Sequence, residues 1–269
     1  MTKQPRKTRR GDGAAEPRRR AAADLIPAIT QRIVAGFQPL KILLFGSQAR
    51  GDAGPWSDVD LLVVLHEAPD TWQAKLDVLD SLRDLHVSAD VTVTTPEEIR
   101  RRGDLVGTVL RPALREGRVL YEREGDSHIP EATPVSEEEI RKEVELWLVF
   151  AEDDMTLAER VIDQLDIMPR QSGFHAQQAA EKALKAVYIF LQIQYPFSHD
   201  LDELRNGLPA GWGLREEYPD LRELSMWAGE ARYPGAQTAN TRDDARRHVQ
   251  QARALLTSVR RELGARRAR

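Results

Sequence analysis

The sequence predicts an α/β domain, a small mixed sheet with flanking helices, followed by an all-α helical bundle. Three observations carry this. From about Asp24 to Tyr121, short apolar or alternating runs are interleaved with stretches of helical period, the order of an α/β domain. From Ser136 onward the apolar stripes have helical period only, and the longest persists over about eight turns. Between them, residues 124–135 are rich in breakers and have no period, which makes them a linker. The expected organisation is a basic arm at 1–22, an α/β domain at 23–123, the linker, a helical bundle at 136–264, and a basic tail at 265–269.

Taken in order, the folded part opens with a helix whose stripe is Leu25, Ile26, Ile29, Ile33 and Val34, with Gly36 as its stop. Ile42, Leu43, Leu44 and Phe45 form a buried strand that ends at Gly46 and Ser47, where a missing β-carbon lets the backbone approach a ligand. A short helix and a strand over 59–65 follow. Trp72, Leu76, Leu79 and Leu82 give a helix from about Thr71 to Leu85. Asp90, Thr92 and Thr94 alternate with Val91 and Val93 as a half-buried strand does. Pro96, Glu97 and Glu98 start a helix that is expected to run to about Glu116, and Val119, Leu120 and Tyr121 close the domain.

The chemistry-bearing pattern lies inside these elements. Asp58 and Asp60 open the second strand, with ten residues between Ser47 and Asp58, and residues i and i+2 of a strand point to one face. Two carboxylates opposite a phosphate-holding turn suit a hard divalent cation with oxygen ligands, Mg²⁺ foremost. Asp90, on the next strand, completes a trio that can hold two ions roughly 3.5–4 Å apart. The chemistry so implied is in-line attack on a nucleoside triphosphate. A Walker loop is excluded because no lysine follows these glycines in that spacing, and G-x-G-x-x-G is absent.

Gly46, Ser47, Ala49, Arg50, Gly51, Ser57, Asp58, Asp60, Leu61 and Val63 resemble the GSxARG…SDxDLxV line of the minimal nucleotidyltransferases, in the superfamily related to DNA polymerase β. The likeness covers roughly residues 24 to 123. It implies that Asp58, Asp60 and Asp90 are the catalytic and metal-binding acids for two Mg²⁺ ions, with Mn²⁺ as an alternative. It also implies that Gly46, Ser47, Arg50 and Ser57 bind the nucleotide.

In the second half, Ser136 with Glu139 forms a capping box, and Ile140, Val144, Trp147, Leu148, Ala151, Met155, Ala158, Ile162 and Leu165 continue as a stripe. A helix over about 174–194, short helices near 200–206 and 221–230, and a last long helix capped by Thr241 complete the bundle. The Trp147 and Trp227 positions fit its core, and His175 reads as a capping or packing residue. The segment from Phe174 to Ala186, then Ser198-His199-Asp200-Leu201 and Ala231-Arg232-Tyr233-Pro234, resembles the HEPN family and, through it, the C-terminal domain of kanamycin nucleotidyltransferase. Lys182, Lys185, His199 and Arg232 are candidates to line a pocket for phosphate or substrate. Ribonuclease members carry Arg, four to six residues, then His; Arg242 and His248, with five residues between them, meet that spacing, although the ARYP turn takes its usual place.

Two functions are therefore expected to compete. One is a Mg-dependent nucleotidyltransferase moving a nucleoside monophosphate, AMP from ATP foremost, onto an acceptor hydroxyl. The other is a fused regulatory module like the HEPN/minimal-nucleotidyltransferase toxin–antitoxin pairs. The acceptor classes are a small molecule, a protein hydroxyl or an RNA 3′ end, and the resemblance implies a homodimer. Residues 1–20 carry eight Lys or Arg against two acids and no large apolar residue beyond Met1, so the arm is expected to be disordered and to serve solubility or RNA contact. The absence of cysteine rules out disulfides and thiolate chemistry; with no bilayer-spanning run and no leader-like segment, a cytoplasmic protein free of membrane is expected.

Overall fold

The computed structural model describes residues 22–54, 57–125, 133–230 and 241–267. The expected basic arm up to residue 21, most of the linker, and the ARYP turn with Arg232 lie outside the described residues. The chain divides into two compact units: one holds the residues up to Val93 and the segment from Glu116, the other holds Thr94–Arg115 and the helical remainder.

The first unit is organised around one strand. β1 (Lys41–Phe45) pairs antiparallel with both β2 (Val59–Val64) and β4 (Arg118–Glu122), and β3 (Ala89–Thr94) lies beyond β2, giving the order β3-β2-β1-β4. It is the small mixed sheet that the sequence predicts. Alternation decides which side each residue takes. Ile42, Leu44, Val59, Leu61, Val63, Val91 and Val93 join Ile26, Ile29 and Ile33 of α1 (Ala22–Phe37) and Val78 of α3 (Thr71–Ser81) in one apolar cluster. Asp60 has the opposite parity from Val59 and Leu61, and its register partner is Phe45. The carboxylate therefore faces away from that cluster. Between β1 and β2 stands the five-residue α2 (Gly46–Arg50), and α3 is capped by Asp70, whose carboxylate accepts the N–H groups of Trp72 and Gln73 at 2.9 Å each.

One expected element is two. The helix anticipated from Pro96 to Glu116 is broken into α4 (Pro96–Arg102) and α5 (Leu110–Glu116). Gly103 ends the first, and Gly107 adopts φ +95°, a conformation that L-residues avoid. The intervening turn buries Leu105 and Val106, and Val106 joins the helical unit's core. Packing overrides helix continuity here.

The helical unit is built on α7 (Pro169–Leu191), flanked by α6 (Glu137–Val161), α10 (Arg222–Glu230) and α11 (Arg242–Arg267), with α8 (Leu201–Asn206) and α9 (Leu214–Glu217) in the connections. Ala176, Ala179, Ala180, Ala183 and Ala186 are all fully buried, so α7 is covered on most of its circumference and its small side chains let neighbouring helices approach closely. It starts earlier than Phe174 because Pro169 is suited to a first helical position, and it stops at Gln192, which takes a left-handed φ of +52°. Ser136 accepts the N–H of Glu139 at the start of α6, and Thr241 exchanges hydrogen bonds with Asp244 at the start of α11. Trp227 is buried as expected, and Trp147 packs partly buried against the same core. Among the described residues no helix is long and apolar enough to cross a membrane.

Candidate active site

The site is set up where β1 ends. Gly46 takes φ +67°, and a β-carbon there would stand 2.1 Å from Oδ2 of Asp60, so the backbone can lie against that carboxylate only if residue 46 has no side chain. Ser47 and Arg50 follow in α2, which ends at Gly51 in a left-handed conformation, its N–H donated to the carbonyl of Ser47. Gln48 donates to the carbonyl of Ser57 at 3.5 Å, and the Ser57 hydroxyl accepts the N–H of Gly54 at 2.9 Å. The first bond ties the segment that delivers Asp58 back to α2, and the second closes a turn within that segment.

Asp60 is half-buried, and its carboxyl is held above the ordinary aspartate range, first by burial, then by the charge of Asp90 and that of Asp58, with Arg50 acting in the opposite sense. The three predicted acids thus act in one field, with Gly46 against one of them and Arg50 close enough to oppose them. Arg50 also pairs with Asp52 at 3.3 Å, in an exposed contact. Asp90 is exposed, and the ammonium of Lys75 on α3 sits 2.8 Å from its Oδ1. Sequence reading missed Lys75, since a lysine on an amphipathic helix carries no signal that sets it apart from a solvated one.

The residues present fit a divalent cation. The donors are hard carboxylate oxygens, and like charges raise the Asp60 carboxyl, which leaves the cluster short of positive charge. Among the described residues, no three His, Cys, Asp or Glu side chains already stand at metal-holding spacing.

The candidates of the helical unit are placed differently. His199 is exposed, with Nδ1 3.0 Å from Oε2 of Glu181; that buried carboxylate also accepts Lys185 at 2.7 Å and Gln177 at 2.9 Å. Burial pushes the Glu181 carboxyl up, yet these donors outweigh it and hold the group below the ordinary glutamate range. A second centre joins α6 to α7: Asp154 of α6 accepts Lys182 at 2.7 Å and stands 2.8 Å from Nδ1 of His175, which lies inside α7 and not at its start, and so pairs instead of capping. Arg242 donates to the carbonyls of Ile162 and Ile167, the second at 2.9 Å, and so closes the end of α6. His248 is buried, accepting the Trp227 indole N–H on Nδ1 at 2.9 Å, with Glu223 3.2 Å from Nε2. The structure gives Arg242 and His248 separate partners and does not bring them together.

With both arrangements in view, the comparisons with known proteins give one family match in each half of the chain. Residues 29–126 match the polymerase beta nucleotidyltransferase family profile, and residues 144–262 match that of the HEPN domain. The chain therefore joins a nucleotidyltransferase domain to a HEPN domain, and nucleotidyl transfer is the activity class that goes with the first. Among solved structures, TT1696 from Thermus thermophilus is similar at 26% identity over 44% of this chain and 96% of its own, with a TM-score of 0.39. Spectinomycin adenyltransferase AAD(9) from Enterococcus faecialis, solved with ATP and spectinomycin, is similar at 15% identity over 86% of this chain and 98% of its own, with a TM-score of 0.43. No curated protein matches the chain.

Proposed function

We propose that this protein is a metal-dependent nucleotidyltransferase that moves a nucleoside monophosphate, AMP from ATP foremost, onto an acceptor hydroxyl and releases pyrophosphate. The observation that carries the reading is the Asp60 carboxyl, packed against a glycine whose β-carbon would displace it, and raised first by burial and then by two further acids. Asp58, Asp60 and Asp90 are assigned as the ligands of two Mg²⁺ ions, with Mn²⁺ as an alternative. Bound there, such ions neutralise the triphosphate and make the acceptor hydroxyl a better nucleophile.

The chain's own groups do the rest. The Gly46 backbone and the Ser47 hydroxyl hold the β- and γ-phosphates, Ser57 supports the segment that carries Asp58, and Arg50 leaves its exposed pairing with Asp52 to offset phosphate charge. The acceptor oxygen attacks the α-phosphorus in line, the bond to the bridging oxygen of the β-phosphate breaks, pyrophosphate departs, and the hydroxyl proton passes to Asp90. Acceptor binding is assigned to the HEPN unit, whose acceptor is a small molecule, a protein hydroxyl or an RNA 3′ end. A homodimer in the cytoplasm completes the reading.

The competing reading, a regulatory module whose helical half cleaves RNA, draws no support from Arg242 and His248, since the bonds that they make are internal. The test is to incubate the protein with Mg²⁺, labelled ATP, CTP, GTP or UTP and fractionated lysate, with Asp60→Ala alongside. Label is expected in one acceptor fraction, from ATP foremost, and lost in the variant. Equal labelling by the variant would overturn the assignment.

A further inference from the structure

Lys75 is not part of the machinery described above, yet it makes the closest polar contact to it. Its ammonium lies 2.8 Å from Oδ1 of Asp90 and 6.0 Å from the centre of the Trp72 ring, and its side chain is only 27% exposed while that of Asp90 is 64% exposed. A cation held against one member of an acidic trio reduces the repulsion within it. It also occupies the oxygen that a metal needs.

From this contact we infer that Lys75 is a built-in counter-ion for the third carboxylate, holding Asp90 in the metal-free protein and yielding it when a divalent cation binds, so that α3 helps to set metal affinity. The inference rests on the metal reading of the site given above. A single lysine contact to a mostly solvated carboxylate is weak and screened, whereas a divalent ion shared among three carboxylates is held by several charged bonds at once. The lysine is thus displaceable. Lys75 is a positioning residue, acting through Asp90.

The two effects of removing its charge have opposite signs, and this separates the proposal from a merely structural role. Lys75→Met keeps the length and apolar stem of the side chain and deletes the ammonium. The metal-free protein then loses the attraction to Asp90, and its unfolding midpoint falls. The site simultaneously loses a competitor, and affinity for Mn²⁺ rises roughly two- to tenfold, the scale of one partly exposed ion pair together with the repulsion between two cations. A residue that only supported the fold would weaken both.

The experiment is calorimetric titration of the full chain with Mn²⁺ in the absence of nucleotide, with thermal unfolding of the metal-free protein, for the unaltered protein, Lys75→Met, Lys75→Arg and Asp60→Asn. The expected result is tighter Mn²⁺ binding and a lower metal-free midpoint for Lys75→Met, both restored towards the unaltered values by Lys75→Arg, and loss of binding in Asp60→Asn. Unchanged or weaker binding by Lys75→Met, with binding still lost in Asp60→Asn, would overturn the role of Lys75 and leave the metal site standing. No Mn²⁺ binding to the unaltered protein, or binding that survives Asp60→Asn, would remove the metal site and this inference with it.

Discussion

Asp60 in the sheet unit and Glu181 in the helical unit are both carboxylates drawn out of water, and the protein treats them in opposite ways. Glu181 is 5% exposed and receives Lys185, Gln177 and His199, so that donors outweigh desolvation and the charged form is favoured. Asp60 is less buried, but its strongest charged influences are two other acids, so desolvation and repulsion act in the same direction. A carboxylate whose needs are met within the fold is structural; one left without such partners is poised for something from outside. Glu181 has its charge satisfied within the helical unit, whereas Asp60 is held in repulsion with two other acids.

That contrast can be broken or sharpened by substitution. The largest effect is expected from Asp60→Asn, which should lower nucleotidyl transfer by about a thousandfold or more, because it removes a ligand on which metal-assisted charge stabilisation depends. The same change should leave the metal-free protein slightly more stable, by about 0.5 kcal/mol after allowance for solvent screening, since it relieves repulsion. Transfer assays and thermal unfolding of one preparation check both halves.

Next comes Glu181→Ala, expected to destabilise the helical unit by about 3 kcal/mol in chemical denaturation, because it strands Lys185 in a largely buried position without its carboxylate. Gly46→Ala ranks third. Backbone strain at φ +67° and the close approach to Asp60 should together cost about 1–3 kcal/mol, and transfer should fall at least as far as in a variant that misplaces Asp60 without deleting it. Denaturation midpoints and initial rates measure these.

The smallest effects are those of pH. The folded carboxyl of Asp60 is raised, so its contribution is fully present below the unfolded value and lost as pH rises through the folded one; the advantage of Asp60→Asn over the unaltered protein should grow from pH 4 to pH 7. For Glu181 the folded carboxyl is depressed, so its contribution is present above the unfolded value and lost as pH falls through the folded one; the deficit of Glu181→Gln should be level near pH 7 and shrink as pH falls below the ordinary glutamate range. Unfolding midpoints at a series of pH values check that the two trends diverge.

Much of the sheet unit was legible because its signals are local. The apolar run to Phe45, the Gly46-Ser47 turn and the alternation around Asp58 and Asp60 lie within one stretch of chain, and strand parity alone gives Asp60 its side of the sheet. The link between Lys75 and Asp90 spans fifteen residues and depends on how α3 lies against β3, which no period reveals. The split between α4 and α5 was missed because Gly103 and Gly107 sit within an otherwise helical pattern and only the burial of Leu105 and Val106 shows why the chain turns. The spacing of Arg242 and His248 says nothing of their partners: one donates to the carbonyls at the end of α6 while the other accepts the Trp227 indole, and both contacts come from distant parts of the chain.

The two carboxylate centres along α7, Glu181 of the helix itself and Asp154 of α6, are joined by a relay: Lys182 donates to the oxygen of Gln178 at 3.2 Å, the Gln178 amide to that of Gln177 at 2.7 Å, and the Gln177 amide to Glu181 at 2.9 Å. Every donor in that line points the same way, so turning one amide over would set oxygen against oxygen on one side and N–H against N–H on the other. The line itself lies wholly within α7 and fixes the rotamers of its polar face; its two ends, Lys182 on Asp154 of α6 and the Gln177 amide on the carbonyl of His199, are what index a helix of near-identical alanines against its surroundings.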